Sequence, residues 1–209
     1  MDIIEKLNWR YATKQFDSTK KLKPEQLELL LKAINLTASS FGLQPYSIIV
    51  IEDKAIRKQL KEAAWQQTQV TDASQVILFA AKTDLSSTDI DEYIQRISAA
   101  RNIPIEALAE YEGMMKGSLS SQSQEDITTW AAKQAYIALG QLLVSCAIES
   151  IDACPMEGFD KTQFDKILKL KEKNLTSVVM ATVGFRSSED QYQHLPKVRK
   201  NIDDIIIRQ

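Results

Sequence analysis

One stretch limits the fold before any other is considered. Between residues 123 and 150 apolar side chains occupy most helical faces: Ile127, Trp130, Ala131, Ala135, Ile137, Ala138, Leu142, Leu143 and Ala147. Ser123 with Asp126 three residues on is a loose capping box, so a long helix is expected to open there. A helix that is apolar nearly all round must be covered by partners on several sides. Gly140 and the alanines allow a second helix to come close, including one from another copy of the chain. The most apolar part, residues 137–148, is interrupted by Gly140, Gln141 and Ser145 and is too short to cross a bilayer.

The rest of the chain supplies the partners. Ile3, Ile4 and Leu7 share a helical face that ends near Trp9 and Arg10. Pro24 suits a first helical turn, and Leu27, Leu30, Leu31 and Ile34 follow at helical spacing. Residues 46–51 (YSIIVI), 75–81 (QVILFAA) and 178–185 (VVMATVGF) read as buried strands, and Asp53 reads as a helix N-cap. Residues 88–118 hold two polar helical stretches and read as an excursion over the surface. Residues 154–159 read as a loop flanked by Pro155 and Gly158, and residues 159–170 as a short helix. Trp9, Trp65 and Trp130 read as core, and Cys146 and Cys154 as buried thiols. Helices dominate and separate the few strands, which implies an α+β fold with a small central sheet. The whole of residues 1–209 reads as one domain. Its tail, residues 191–209, ends in Ile205, Ile206 and Ile207, which have no local partner.

Several functions are excluded or made remote. With 26 Lys+Arg against 28 Asp+Glu, the net charge of −2 gives no bulk attraction for nucleic acid. Two cysteines make no disulfide framework, and the single His194 makes a histidine metal site remote. Residues 1–20 contain no signal-peptide apolar region, so a soluble cytoplasmic protein without membrane or nucleic-acid partners is expected. Dinucleotide, P-loop and nucleophile-elbow glycine motifs are all missing. With so few groups that titrate near neutrality, an enzyme of this composition would rely on a bound cofactor.

Four local patterns remain: Arg10-Tyr11-Ala12-Thr13-Lys14, Ser39-Ser40-Phe41-Gly42-Leu43-Gln44-Pro45, Cys154-Pro155-Met156-Glu157-Gly158-Phe159, and Leu195-Pro196-Lys197-Val198-Arg199. Singly, each has an ordinary explanation: cations complementing a helix dipole, a polar loop, a turn, a solvated tail. Together, in this order, and with Leu22-x-Pro24-Glu25-Gln26 and Asp72-Ala73-Ser74 between them, they resemble the nitroreductase family along essentially the whole chain. The resemblance is nearest to the branch of oxygen-insensitive nitroreductases and dihydropteridine reductases.

That resemblance implies a nitroreductase-like α+β fold, a mixed sheet of four or five strands, and a homodimer built on the long central helix. It implies that the C-terminal tail packs on the partner subunit. It also implies tightly bound FMN, NADH or NADPH as reductant, and small flat electron acceptors reduced in a ping-pong cycle through flavin N5, with no catalytic side chain and no metal. Arg10, Lys197 and Arg199 match the cations on the flavin phosphate, and arginine's planar fork suits phosphate oxygens. Lys14 matches the cation at the pyrimidine edge, flanked by Tyr11 and Ala12. Pro155, Met156, Glu157 and Gly158 would aim backbone N–H groups at N5 and O4. Ser39, Ser40 and Gln44 would come from the partner subunit. Ala12 stands where the family often has serine, a loss of about 0.5–1.5 kcal/mol for one hydrogen bond. Residues 65–71 are short of the polar residues some members carry, and Gln67 or Gln69 is the nearest substitute. The rivals are a flavoenzyme of the same fold with a narrower substrate (a dihydropteridine or flavin reductase, or a dehalogenase-like enzyme) and a flavin-free binding module.

Overall fold

The computed structural model describes residues 2–209. Helices α1 (Ile3–Trp9) and α2 (Pro24–Asn35) lead into strand β1 (Tyr46–Ile51). Helices α3 (Lys54–Ala63) and α4 (Gln69–Asp72) precede β2 (Gln75–Lys82). Helices α5 (Ser87–Arg101), α6 (Ala109–Ser120) and α7 (Gln124–Ile148) follow, then β3 (Asp152–Met156), α8 (Lys161–Ile167) and β4 (Leu175–Gly184). The helix starts obey side-chain chemistry. Asp53 and Asp160 accept from the N–H three residues on, at 2.8 and 3.1 Å, and Ser123 accepts from Asp126 N–H at 3.2 Å.

The strands lie in the order β1-β2-β4-β3, and every neighbouring pair is antiparallel. The α+β class stands as expected, but the sheet is not mixed across its strands. The one parallel pairing among the described residues is an isolated bridge between Ala12 and Ala153. β3 is itself a correction, because residues 154–156 were expected to be loop. Pro155 cannot donate to a ladder, and β3 tolerates it because it lies at the sheet's edge.

Two clusters cover the two faces of the sheet. One joins α2 and α7 to Ile77, Phe79, Val179 and Val183. The other joins α3, α8 and Phe16 to Val76, Leu78, Met156 and Met180. Helix α7 is buried through Ile127, Ala131, Ala135, Ala138, Leu142 and Cys146, yet Tyr136, Ile137, Gly140 and Gln141 form an open stripe. It is the one described helix long and apolar enough to cross a membrane, and half of that stretch is buried inside the fold. Residues 88–118 are less of a surface layer than their polarity suggested. Ile90, Ile94 and Ile97 of α5 pack with Leu108, Met115 and Ile127 into a third cluster. Trp65 is no core residue: it is 68% exposed.

Candidate functional site

The chain leaves α1 in an extended conformation at Arg10 (φ −73°, ψ 142°) and runs beside the outer edge of β3. Ala12 bridges Ala153, and the Thr13 N–H donates to the Ala153 carbonyl at 3.4 Å. Because the bridge is parallel, Lys14 falls level with Pro155, and the segment advances toward the Glu157 end of β3. The C-terminal tail returns on the other side. Arg10, Tyr11, Ala12, Lys14, Tyr192, Lys197 and Arg199 all line one open cleft of about 350 Å³.

Asp190 fastens the two walls together. It is fully buried, and its Oδ2 accepts from the Tyr11 hydroxyl (2.9 Å), the Lys14 N–H (2.8 Å) and the Gln15 N–H (3.1 Å), while Oδ1 accepts from the Tyr192 N–H (3.0 Å). Burial alone would raise its pKa, but these donors outweigh that and hold the carboxyl below the usual aspartate range. The same contact, with burial as the larger cause, pushes the Tyr11 phenol well above its ordinary value. Arg186 stiffens the floor: its guanidinium sits 4.3 Å from the Trp9 ring centre and 4.6 Å from that of Tyr11, and it is paired with buried Asp152.

The cleft is cationic and uncompensated. The Lys197 ammonium donates to the carbonyls of Leu7 (2.8 Å) and Arg10, capping the negative end of α1. Burial lowers the pKa of Arg10 and of Lys197, and the charge of Arg199 lowers both further. Among the described residues, none of Arg10, Lys14, Lys197 and Arg199 has a carboxylate partner. The cleft thus gathers positive charges that depress one another and have no carboxylate counter-ion.

Next to the cleft, the end of β3 offers hydrogen-bond donors. The N–H groups of Glu157 and Gly158 have no acceptor among the described residues. The loop carrying them is held from two sides. The Gln67 amide donates to the carbonyls of Gly158 (2.7 Å) and Ala64 (3.1 Å), and the Tyr136 hydroxyl donates to the Glu157 carboxylate. Burial, then this carboxylate, pushes the Tyr136 phenol up to about 12. Pro155 is half-buried, Met156 is buried, and Gln69 is buried in the first turn of α4. Of the two glutamines, Gln67 touches the loop, as its brace.

The third expected group lies elsewhere. Ser39 Oγ accepts from the Gln44 N–H (3.0 Å), Gln44 Nε2 donates to the Asn35 carbonyl (2.9 Å), and the Ser40 N–H donates to Gln134 Oε1 (2.8 Å). Gln134 is sixteen residues before Ser150, whose hydroxyl accepts from Lys6 of α1 (2.7 Å). At 1.5 Å per residue, the fourteen residues from Gln134 to Ile148 put about 21 Å between the Ser39–Ser40 turn and the end of α7 near which Lys6 is held. Ser39, Ser40 and Gln44 therefore do not join the cleft within one chain. Sequence reasoning missed Asp190, Arg186, Tyr136 and the bracing role of Gln67. Nothing in the local sequence singles out Asp190 or Arg186: the first is marked by its full burial and the second by its pairing with buried Asp152.

Comparison with known proteins gives this fold its class, that of the nitroreductases. Residues 7–185 match the family model described as "Nitroreductase family", and the chain belongs to that family. A Staphylococcus epidermidis protein named "Putative NAD(P)H nitroreductase" is 34% identical over 98% of this chain and 95% of its own length. Among solved structures, a Bacillus subtilis protein described as a "putative nitroreductase" superposes with a TM-score of 0.88 at 20% identity, covering 99% of this chain and 98% of that one. An Exiguobacterium sibiricum protein described as a "putative nitroreductase in complex with FMN" gives 0.85 at 20% identity, over 100% and 98% of the two chains.

Proposed function

We propose that the protein is an FMN-dependent NAD(P)H oxidoreductase that reduces nitroaromatics, quinones and similar flat electron-poor acceptors in a ping-pong cycle. The observation that carries this reading is the set of four unpaired cations in one cleft beside two unpartnered backbone N–H groups. A flavin mononucleotide needs those two features: countercharge for a near-dianionic phosphate, and donors for the polar edge of its ring. The residues present fit that group.

When bound, FMN would supply hydride acceptance from the nicotinamide and electron delivery to the acceptor. The chain's own residues do the rest. Arg10 and Arg199 offer guanidinium forks to phosphate oxygens, and Lys197 adds charge while fixing the Arg10 carbonyl. The Lys14 ammonium favours negative charge on the ring's pyrimidine side, which is how a protein tunes such a cofactor. Gln67 and Tyr136 keep the Glu157 and Gly158 N–H groups aimed outward, so no reorganisation is needed when a ring arrives.

The functional unit is a homodimer. The open stripe at Tyr136, Ile137, Gly140 and Gln141 and the exposed Ile202, Ile205, Ile206 and Ile207 are its contact surfaces, and Ser39, Ser40 and Gln44 reach the partner's cleft. We further place the protein in the cytoplasm, with neither membrane nor nucleic-acid partners. Within the family, the branch of oxygen-insensitive nitroreductases and dihydropteridine reductases is the finer proposal, and a narrower dihydropteridine reductase is the rival, separated by comparing steady-state rates on a dihydropteridine and on a quinone. The central test is the visible spectrum of the purified protein: we expect a yellow protein, or one that turns yellow on adding FMN. A colourless protein that cannot be reconstituted overturns the reading.

A further inference from the structure

The turn that ends α3 carries an unsuitable residue for its geometry. Ala64 is the C-cap, and the Gln66 N–H donates to the Lys61 carbonyl at 3.0 Å, the bond that closes a helix end through one left-handed residue. That residue is Trp65, at φ 54°, and Gln66 follows at φ 64°. Glycine usually takes this position because a Cβ is strained there, and a bulky aromatic is an outlier. Burial gives little back, since Trp65 is 68% exposed. Its ring lies against the Gly158 backbone: a Cβ on Gly158 would stand 3.0 Å from Trp65 Cζ3. The indole thus borders the loop whose N–H groups are unpartnered. Strain kept at a residue that contributes little burial points to a functional position.

We propose that Trp65 is a specificity-determining residue whose exposed indole forms one wall of the acceptor slot and selects flat aromatic acceptors by stacking. The proposal rests on the flavin reading above. An electron-rich indole face gains from an offset or edge contact with an electron-poor ring, and a compact non-planar acceptor gains nothing from it. The left-handed turn holds the ring out from α3 instead of letting it collapse onto the helix.

The test uses FMN-loaded protein with Trp65→Gly and Trp65→Phe. For Trp65→Gly we expect the ratio of kcat/KM for menadione to that for ferricyanide to fall about tenfold, and Trp65→Phe to restore most of it. The Kd of naphthalene-2-carboxylate, planar and redox-inert, should rise by a similar factor. The Tm of Trp65→Gly should equal or exceed that of the wild type, because glycine relieves the turn. An unchanged ratio and Kd with FMN still bound overturns the proposal while leaving the flavin reading intact. A Tm lower by several degrees assigns Trp65 to the fold and overturns it as well. Failure of the wild type to take up FMN sinks the flavin reading, and this proposal with it.

Discussion

The cationic cleft and the Ser39–Gln44 turn carry the same kind of residue, small polar or charged groups flanking the sheet, yet they are built differently. The cleft joins residues nearly 190 positions apart, and its cations have no carboxylate partner among the described residues. The turn settles its polar groups on near neighbours and on α7. One half of the proposed site is therefore assembled within a chain. The other half is finished locally and, in the proposed homodimer, a second copy brings it across.

The largest effect should come from removing the clasp that makes the cleft. Asp190→Ala leaves part-buried donors from Tyr11, Lys14, Gln15 and Tyr192 without their acceptor. We expect a loss of about 3 kcal/mol or more in urea unfolding. The pH dependence carries a sign. The folded pKa of Asp190 lies below its unfolded value, so its contribution is complete above about pH 4 and disappears as pH falls through the folded pKa. Asp190→Asn should begin less stable and show a shallower acid limb, and identical acid limbs would break the picture of a charged clasp.

Next in size, Arg10→Ala should weaken FMN binding by roughly 1.5–3 kcal/mol, about one to two decades, by flavin titration of apoprotein. Unchanged affinity would take Arg10 off the phosphate. A mixed dimer sharpens the contrast further. Pairing an Arg10→Ala chain with a Ser39→Ala chain should leave one intact flavin site and one doubly damaged site if each site draws on both chains. Two sites with one lesion each, neither intact nor doubly damaged, would mean that each chain makes its own. The smallest effect is spectroscopic. Ultraviolet titration should show a phenol ionising near pH 12 that is missing in Tyr136→Phe.

Much of the fold was legible because it follows from periodicity. The strand at 46–51 and the N-caps at Asp53 and Ser123 fall where pattern and capping chemistry put them. β3 escaped because Pro155 and Gly158 argue for a loop, and only sheet position, a tertiary fact, makes a proline acceptable there. Trp65 was misassigned to the core because aromatic residues usually bury themselves, and no local signal shows that a helix has ended one residue earlier. The cations of the cleft were visible as residues, but the carboxylate that gathers them was not. Asp190 carries the same carboxylate as its neighbour Glu189, and it is the fold that buries the first and leaves the second exposed.

The proline in β3 also gives the sheet two unlike rims. Along β3, a residue without an N–H and the bridging Ala12 segment close the border to further strands. Along β1, six uncharged residues, YSIIVI, present an unpaired row of donors and acceptors. Such a segment is a template for cross-β stacking when left bare. Misassembly during overproduction should accordingly begin at the β1 border, and a lysine at Ser47 would act there as a gatekeeper.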